Sequence, residues 1–129
     1  MHKRIVLLWI GFIGLALACN TISNLPSQGE RNAKLEGEFD VYGVNPDGSQ
    51  YMGSAEIVYE RGNYVITWEI AGDTVIGSGK WENNEFTVVY DGGRAVYTLN
   101  EFGTLTGTWF LEGDSRPGTE TLAPMTLPP

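Results

Sequence analysis

Leu105, Gly107, Trp109 and Leu111 fall on one face of an extended chain, and Thr104, Thr106 and Thr108 fall on the other. A period of two marks a strand that buries one side and wets the other. The pattern recurs upstream. Leu35, Gly37, Phe39 and Val41 alternate with Glu36, Glu38 and Asp40. Tyr51, Gly53, Ala55, Ile57 and Tyr59 share a face, as do Tyr64, Ile66, Trp68 and Ile70. Further strands are expected over 74–82, 85–90, 95–99 and 119–122. No segment after Leu17 carries apolar residues at helical spacing.

Turn signals separate these runs. Asn45-Pro46-Asp47-Gly48, Arg61-Gly62-Asn63, Ala71-Gly72-Asp73, Asn83-Asn84 and Asp91-Gly92-Gly93 supply residues with preset or positive backbone angles. About eight short strands at intervals near ten residues predict an all-β antiparallel meander. Its edges must be covered, and closure into a small up-and-down barrel does so. In-strand Gly53, Gly77, Gly79 and Gly107 supply the bends that closure needs. A two-sheet β-sandwich is the alternative. The expected core contains Phe39, Ile57, Ile66, Trp68, Phe86 and Val88, with Leu105 and Trp109 from the seventh strand.

The N-terminus has a different grammar. His2-Lys3-Arg4 is basic, Ile5 to Leu17 is apolar, and Ala16-Leu17-Ala18-Cys19 follows. That layout predicts a secretory signal peptide over 1–18. The apolar run falls short of the roughly 20 residues of a transmembrane helix. Cys19 follows a small residue, and the ending resembles the lipobox of bacterial lipoproteins, with Leu17 two places before the cysteine. Ordinary cleavage after Ala18 is the alternative. Cys19 is the only cysteine, so it has no internal disulfide partner, and lipidation gives it a role. Residues 19–33 are polar and read as a tether, about 20 Å across as a flexible coil. The barrel domain is expected over 34–124, and 125–129 as a frayed tail. The expected location is the bacterial cell envelope, lipid-anchored or secreted.

Charge narrows the partners. The chain has 16 acidic and 8 basic residues, a net charge of −8. Loss of Lys3 and Arg4 with a signal peptide would make it more negative still. Such a surface disfavours nucleic acid, and it disfavours adhesion to an anionic membrane by charge alone. Membrane contact is expected only through a lipid on Cys19.

Several stretches taken together resemble a known group: Asn45–Gly53, Tyr64–Ile70, Gly77–Gly79, Gly103–Trp109 and Gly118–Pro124. The chain is similar over most of 37–124 to small secreted bacterial β-domain proteins of unknown function, some labelled fibronectin-binding. Gly103–Trp109 also resembles strand pairs of avidin-like barrels, which implies a barrel fold. No biotin-binding residues carry over, because the surrounding polar positions do not match.

Chemistry is constrained by missing parts. His2 is the only histidine and lies in the expected signal peptide. That removes Ser–His–Asp and Cys–His nucleophiles and imidazole or thiolate metal sites. No catalytic residue, metal ligand or cofactor is assigned. Glu36, Glu38, Asp40, Glu56 and Glu69 alternate with apolar residues and are expected to face solvent. Asn45, Asp47 and Ser49 resemble the opening of a calcium loop, with Glu56 at the twelfth place. Pro46 and the early Gly48 fit a plain turn instead. Tyr64, Trp68, Trp81, Tyr90 and Trp109 are the candidates to line a ligand cavity, since an eight-stranded barrel is either filled by side chains or holds one small ligand. A filled interior is the first expectation.

The expected function is a non-enzymatic binding or adhesion module for an extracellular protein. Its surface would be the turns Asn45–Ser49, Ala71–Thr74, Asp91–Gly93 and Gly113–Gly118. A carrier of a small apolar ligand in the barrel interior is the alternative, and a carboxylate-based hydrolase comes third.

Overall fold

The computed structural model describes residues 30–125. Eight strands form a closed barrel in which each pairs with its sequence neighbours and the last with the first. They are β1 (Gly37–Val44), β2 (Gln50–Glu60), β3 (Asn63–Ile70), β4 (Asp73–Glu82), β5 (Glu85–Tyr90), β6 (Gly93–Leu99), β7 (Leu105–Leu111) and β8 (Gly118–Pro124). Every pairing is antiparallel. The β1–β8 seam runs from Phe39 opposite Pro124 to Val44 opposite Thr119. That seam removes the free edges a sandwich would keep.

The turns follow their residue chemistry. Asn83 and Asn84 both take positive φ, as the tightest hairpin turns require. At Asn45–Ser49 the backbone closes through Asn45 N–H to Ser49 O and Gly48 N–H to Asn45 O. Asp47 accepts from the Ser49 amide and hydroxyl, so its carboxylate is committed to holding the turn. Among the described residues no cluster of side chains is arranged to hold a metal ion.

The two ends of the barrel differ. The first strand was expected to include Leu35. Leu35 lies instead in a single 3-10 turn, Ala33–Leu35, with its side chain buried in the core. Asn32 caps that turn by accepting from Lys34 N–H. The chain before β1 is strapped across one end. Glu30 bridges to Trp81, Asn32 bonds the Tyr64 hydroxyl, Lys34 Nζ donates to Glu101 O, and Glu36 accepts from Tyr59 N–H. Residues 30–33, expected to belong to the tether, are therefore packed on the domain. Met125 N–H donates to Glu38 O, so the first residue of the expected tail is also held. Leu35, Phe39, Tyr64, Phe86, Leu105 and Leu122 fill the interior at and above this strapped end, all essentially inaccessible to water.

Among the described residues no such strap crosses the opposite end. It carries the four turns joining β1 to β2, β3 to β4, β5 to β6 and β7 to β8.

Candidate functional site

The residues near the open end are sized by their cross-strand partners. Gly43 on β1 pairs with Tyr51 on β2 and with Glu120 on β8. Glu120 pairs in turn with Gly107 on β7, and Gly107 with Tyr97 on β6. One interior row therefore reads Tyr51–Gly43–Glu120–Gly107–Tyr97. The glycines leave space on both sides of the carboxyl group, and the tyrosine rings lean into it. A Cβ on Gly43 would fall on the Tyr51 ring, and one on Gly107 would strike the Tyr97 ring and the Val96 carbonyl. Gly118 opposite Trp109 repeats the device: its missing side chain is where the indole lies.

The row brings three donors to one acid. Tyr51 Oη donates to Glu120 Oε1 at 2.7 Å, and Tyr97 Oη donates to Oε2 at 2.5 Å. Trp68 reaches from β3 across the interior, and its Nε1–H donates to Oε2 at 3.1 Å. All three bonds are donated to the carboxyl group. Glu120 is 6% exposed, and it is the one buried charged side chain among the described residues. Burial first, and then the adjacent Glu120 charge, pushes the Tyr51 and Tyr97 hydroxyls far above the usual tyrosine range, so both stay protonated donors. Tyr90 is raised by the same two causes in the same order.

This network does not explain itself as a stabilising device. Burying an ion costs several kcal/mol even after relaxation. Hydrogen bonds to a charged group return roughly 1.5–3 kcal/mol each. Three of them approximately offset the cost and leave little surplus. Among the described residues no cation compensates the acid. The two ion pairs among the described residues, Arg31–Glu36 and Arg116–Asp114, are elsewhere and exposed.

Above Glu120 the barrel opens into a cup of about 400 Å³, within the ordinary range of small-molecule sites. Trp68, Tyr90 and Trp109 form walls with Tyr51 and Tyr97, and Ile70, Val75 and Leu111 approach the rim. Trp68 and Tyr90 meet edge to face at 5.6 Å, and Tyr51 and Trp109 at 6.3 Å. Trp109 Nε1–H is buried without a hydrogen-bond partner. It lies near enough to the Tyr51 hydroxyl to soften that group's raised pKa slightly, though the contact falls short of a hydrogen bond. Asn45 and Asp73 complete the polar lining.

The sequence matches no family model and no curated protein.

Of the five aromatic candidates, the fold gathers Trp68, Tyr90 and Trp109 into the cup and places two elsewhere. Tyr64 is buried at the strapped end, bonded to Asn32 and packed edge to face on Phe86. Trp81, half-buried, flanks the same end where Glu30 bridges to it. Alternation assigns a face but not a height along the barrel axis. Cys19 lies outside the described residues. The interior is filled at one end and hollow at the other, where a wholly filled barrel was the first expectation. The space that Gly43, Gly107 and Gly118 leave is taken by the rings of Tyr51, Tyr97 and Trp109, and the hollow lies above them, where the small Ala95 is part of the lining. Glu120, Tyr51 and Tyr97 were not among the candidates. A signal for Glu120 existed: Gly118, Glu120 and Leu122 share one face of β8, against Thr119 and Thr121. An acid in the apolar row of a half-buried strand is the feature to notice.

Proposed function

We propose that this is a small-molecule binding protein whose ligand enters the open end of the barrel, and that it is held at the cell envelope through a lipidated Cys19. The observation that carries the binding reading is the cup itself, with aromatic walls around a single buried carboxylate. Apolar walls with a few convergent polar groups are the general form of a ligand site. Binding is favoured over turnover because, among the described residues, the lining holds no serine, threonine, cysteine, lysine or histidine. Its tyrosine hydroxyls hold their protons too firmly to act as nucleophiles. Its buried acid is occupied by three donors.

The test is titration with the neutral apolar dye Nile red, read by dye emission and by quenching of tryptophan. Saturable one-to-one binding is expected, and Val75→Trp, which plugs the rim, should abolish it with the circular dichroism spectrum unchanged. Equal dye binding by the plugged variant would count against the cup. Intact mass and detergent partitioning check the anchor: a free thiol on a water-soluble product starting at Cys19 would remove it.

A second reading has one observation in its favour. The turns Asn45–Ser49, Ala71–Thr74, Asp91–Gly93 and Gly113–Gly118 all rim the open end, so together they offer one surface to an extracellular protein. Panning against matrix proteins separates the two readings, since Val75→Trp should spare binding by the turns.

A further inference from the structure

Resting on the cup as a ligand site, we infer that its ligand is an organic cation: a protonated amine carried on an apolar or aromatic body. Three features of the site converge on that chemistry. The first is the unbalanced charge at the base of the cup. Glu120 is 6% exposed, and no Lys, Arg or His among the described residues lines the space above it. The other ionisable acid of the lining, Asp73, has the same sign. A ligand amine would supply the missing countercharge in a water-poor setting, where a hydrogen-bonded ion pair is strong.

The second is the acceptor count. A carboxylate offers about four acceptor positions. Tyr51 takes one on Oε1, and Trp68 and Tyr97 take two on Oε2. One position on Oε1 remains for a ligand N–H. The three protein donors also hold the acid in place, so a ligand meets a fixed acceptor.

The third is the wall. Trp68, Tyr90 and Trp109 surround the space with Tyr51 and Tyr97, and the faces of such rings attract cations, tryptophan most strongly. An anionic ligand would meet Glu120 and Asp73 with no compensating cation. A neutral apolar ligand would use the rings and leave the acid unanswered. The chain's net charge of −8 also draws cations toward the protein at long range.

The experiment compares three probes on the wild-type full chain by calorimetry and tryptophan quenching: 2-phenylethylammonium, neutral 2-phenylethanol and 3-phenylpropanoate. The ammonium should bind at least tenfold more tightly than the alcohol, and the carboxylate most weakly. Glu120→Gln should bring the ammonium to within about threefold of the alcohol. The wild-type comparison is decisive alone should that variant not fold. Equal affinity for ammonium and alcohol, or preference for the carboxylate, overturns the cation and leaves the cup as a site. Failure of all three probes and of Nile red overturns both readings.

Discussion

Tyr97→Phe removes one oxygen from the network and little else. The ring is 1% exposed, packs against Phe86 at 6.1 Å, and would keep that packing as phenylalanine. What is lost is the 2.5 Å bond to Glu120 Oε2. A hydrogen bond to a charged group contributes about 1.5–3 kcal/mol. The cup gives water some access to the vacated position, which argues for the lower half of that range, about 2 kcal/mol. In a domain of this size that lowers the melting temperature by roughly 8–16 °C. Urea denaturation followed by tryptophan emission measures it. The control is Tyr90→Phe, whose hydroxyl makes only a 3.3 Å bond to the Phe110 carbonyl and should cost less than about 1 kcal/mol. A double-mutant cycle with Glu120→Gln isolates the pair, and the coupling should exceed about 1 kcal/mol. A loss below about 0.5 kcal/mol, the usual range for a site without such features, would refute the argument. So would an equal loss in both backgrounds.

Trp68→Ala should destabilise by about 3–5 kcal/mol, because it empties a site 4% exposed and removes a donor to Glu120; a loss under 1 kcal/mol in the same urea assay would contradict its interior placement. Gly118→Ala puts a methyl group where the Trp109 indole lies, so the tryptophan emission maximum should shift and Nile red affinity fall, and an unchanged spectrum would contradict that seating. Tyr51, Tyr64, Tyr90 and Tyr97 all hold their protons more tightly than an unfolded tyrosine, chiefly through burial. Their contribution is complete below about pH 10 and is lost as the pH rises above it, because the unfolded chain then releases protons that the folded barrel keeps. Urea midpoints should therefore fall above about pH 10, with tyrosinate absorbance from these groups appearing together with unfolding.

The strands were legible because each buries one face. Phe39, Ile57, Ile66 and Phe86 sit at the inward positions of their alternations and are fully buried. Closure was legible from the in-strand glycines, and Gly107 and Gly77 do meet close neighbours across the sheet. The site was legible only in part. Trp68, Tyr90 and Trp109 stand out as aromatics on inward faces, yet so do Tyr64 and Trp81. What separates them is which end the chain before β1 straps shut, and that depends on contacts such as Asn32 with Tyr64 that no periodicity announces. Glu120 is easy to pass over by its type, since an acid is almost never fully buried unless paired, although it shares the inward face of β8 with Gly118 and Leu122. It is stable inside only because Tyr51, Trp68 and Tyr97 arrive from three other strands, an arrangement that exists in register and not in local sequence.

The order of strands has a consequence for when the proposed ligand site is complete. Seven of the eight pairings join neighbours in the chain, which form with little loop-closing entropy. The β1–β8 seam alone joins the two ends, and Glu120 is on β8, against β1. The donors from β2, β3 and β6 can therefore be folded into hairpins while their common acceptor is still outside the ring. A ligand that needs all of them binds only the finished circle, and by mass action it adds its binding energy to the last seam to close. On the proposed function, occupancy of the cup would then act as a clasp, drawing most of its effect from the one joint that no short turn holds together.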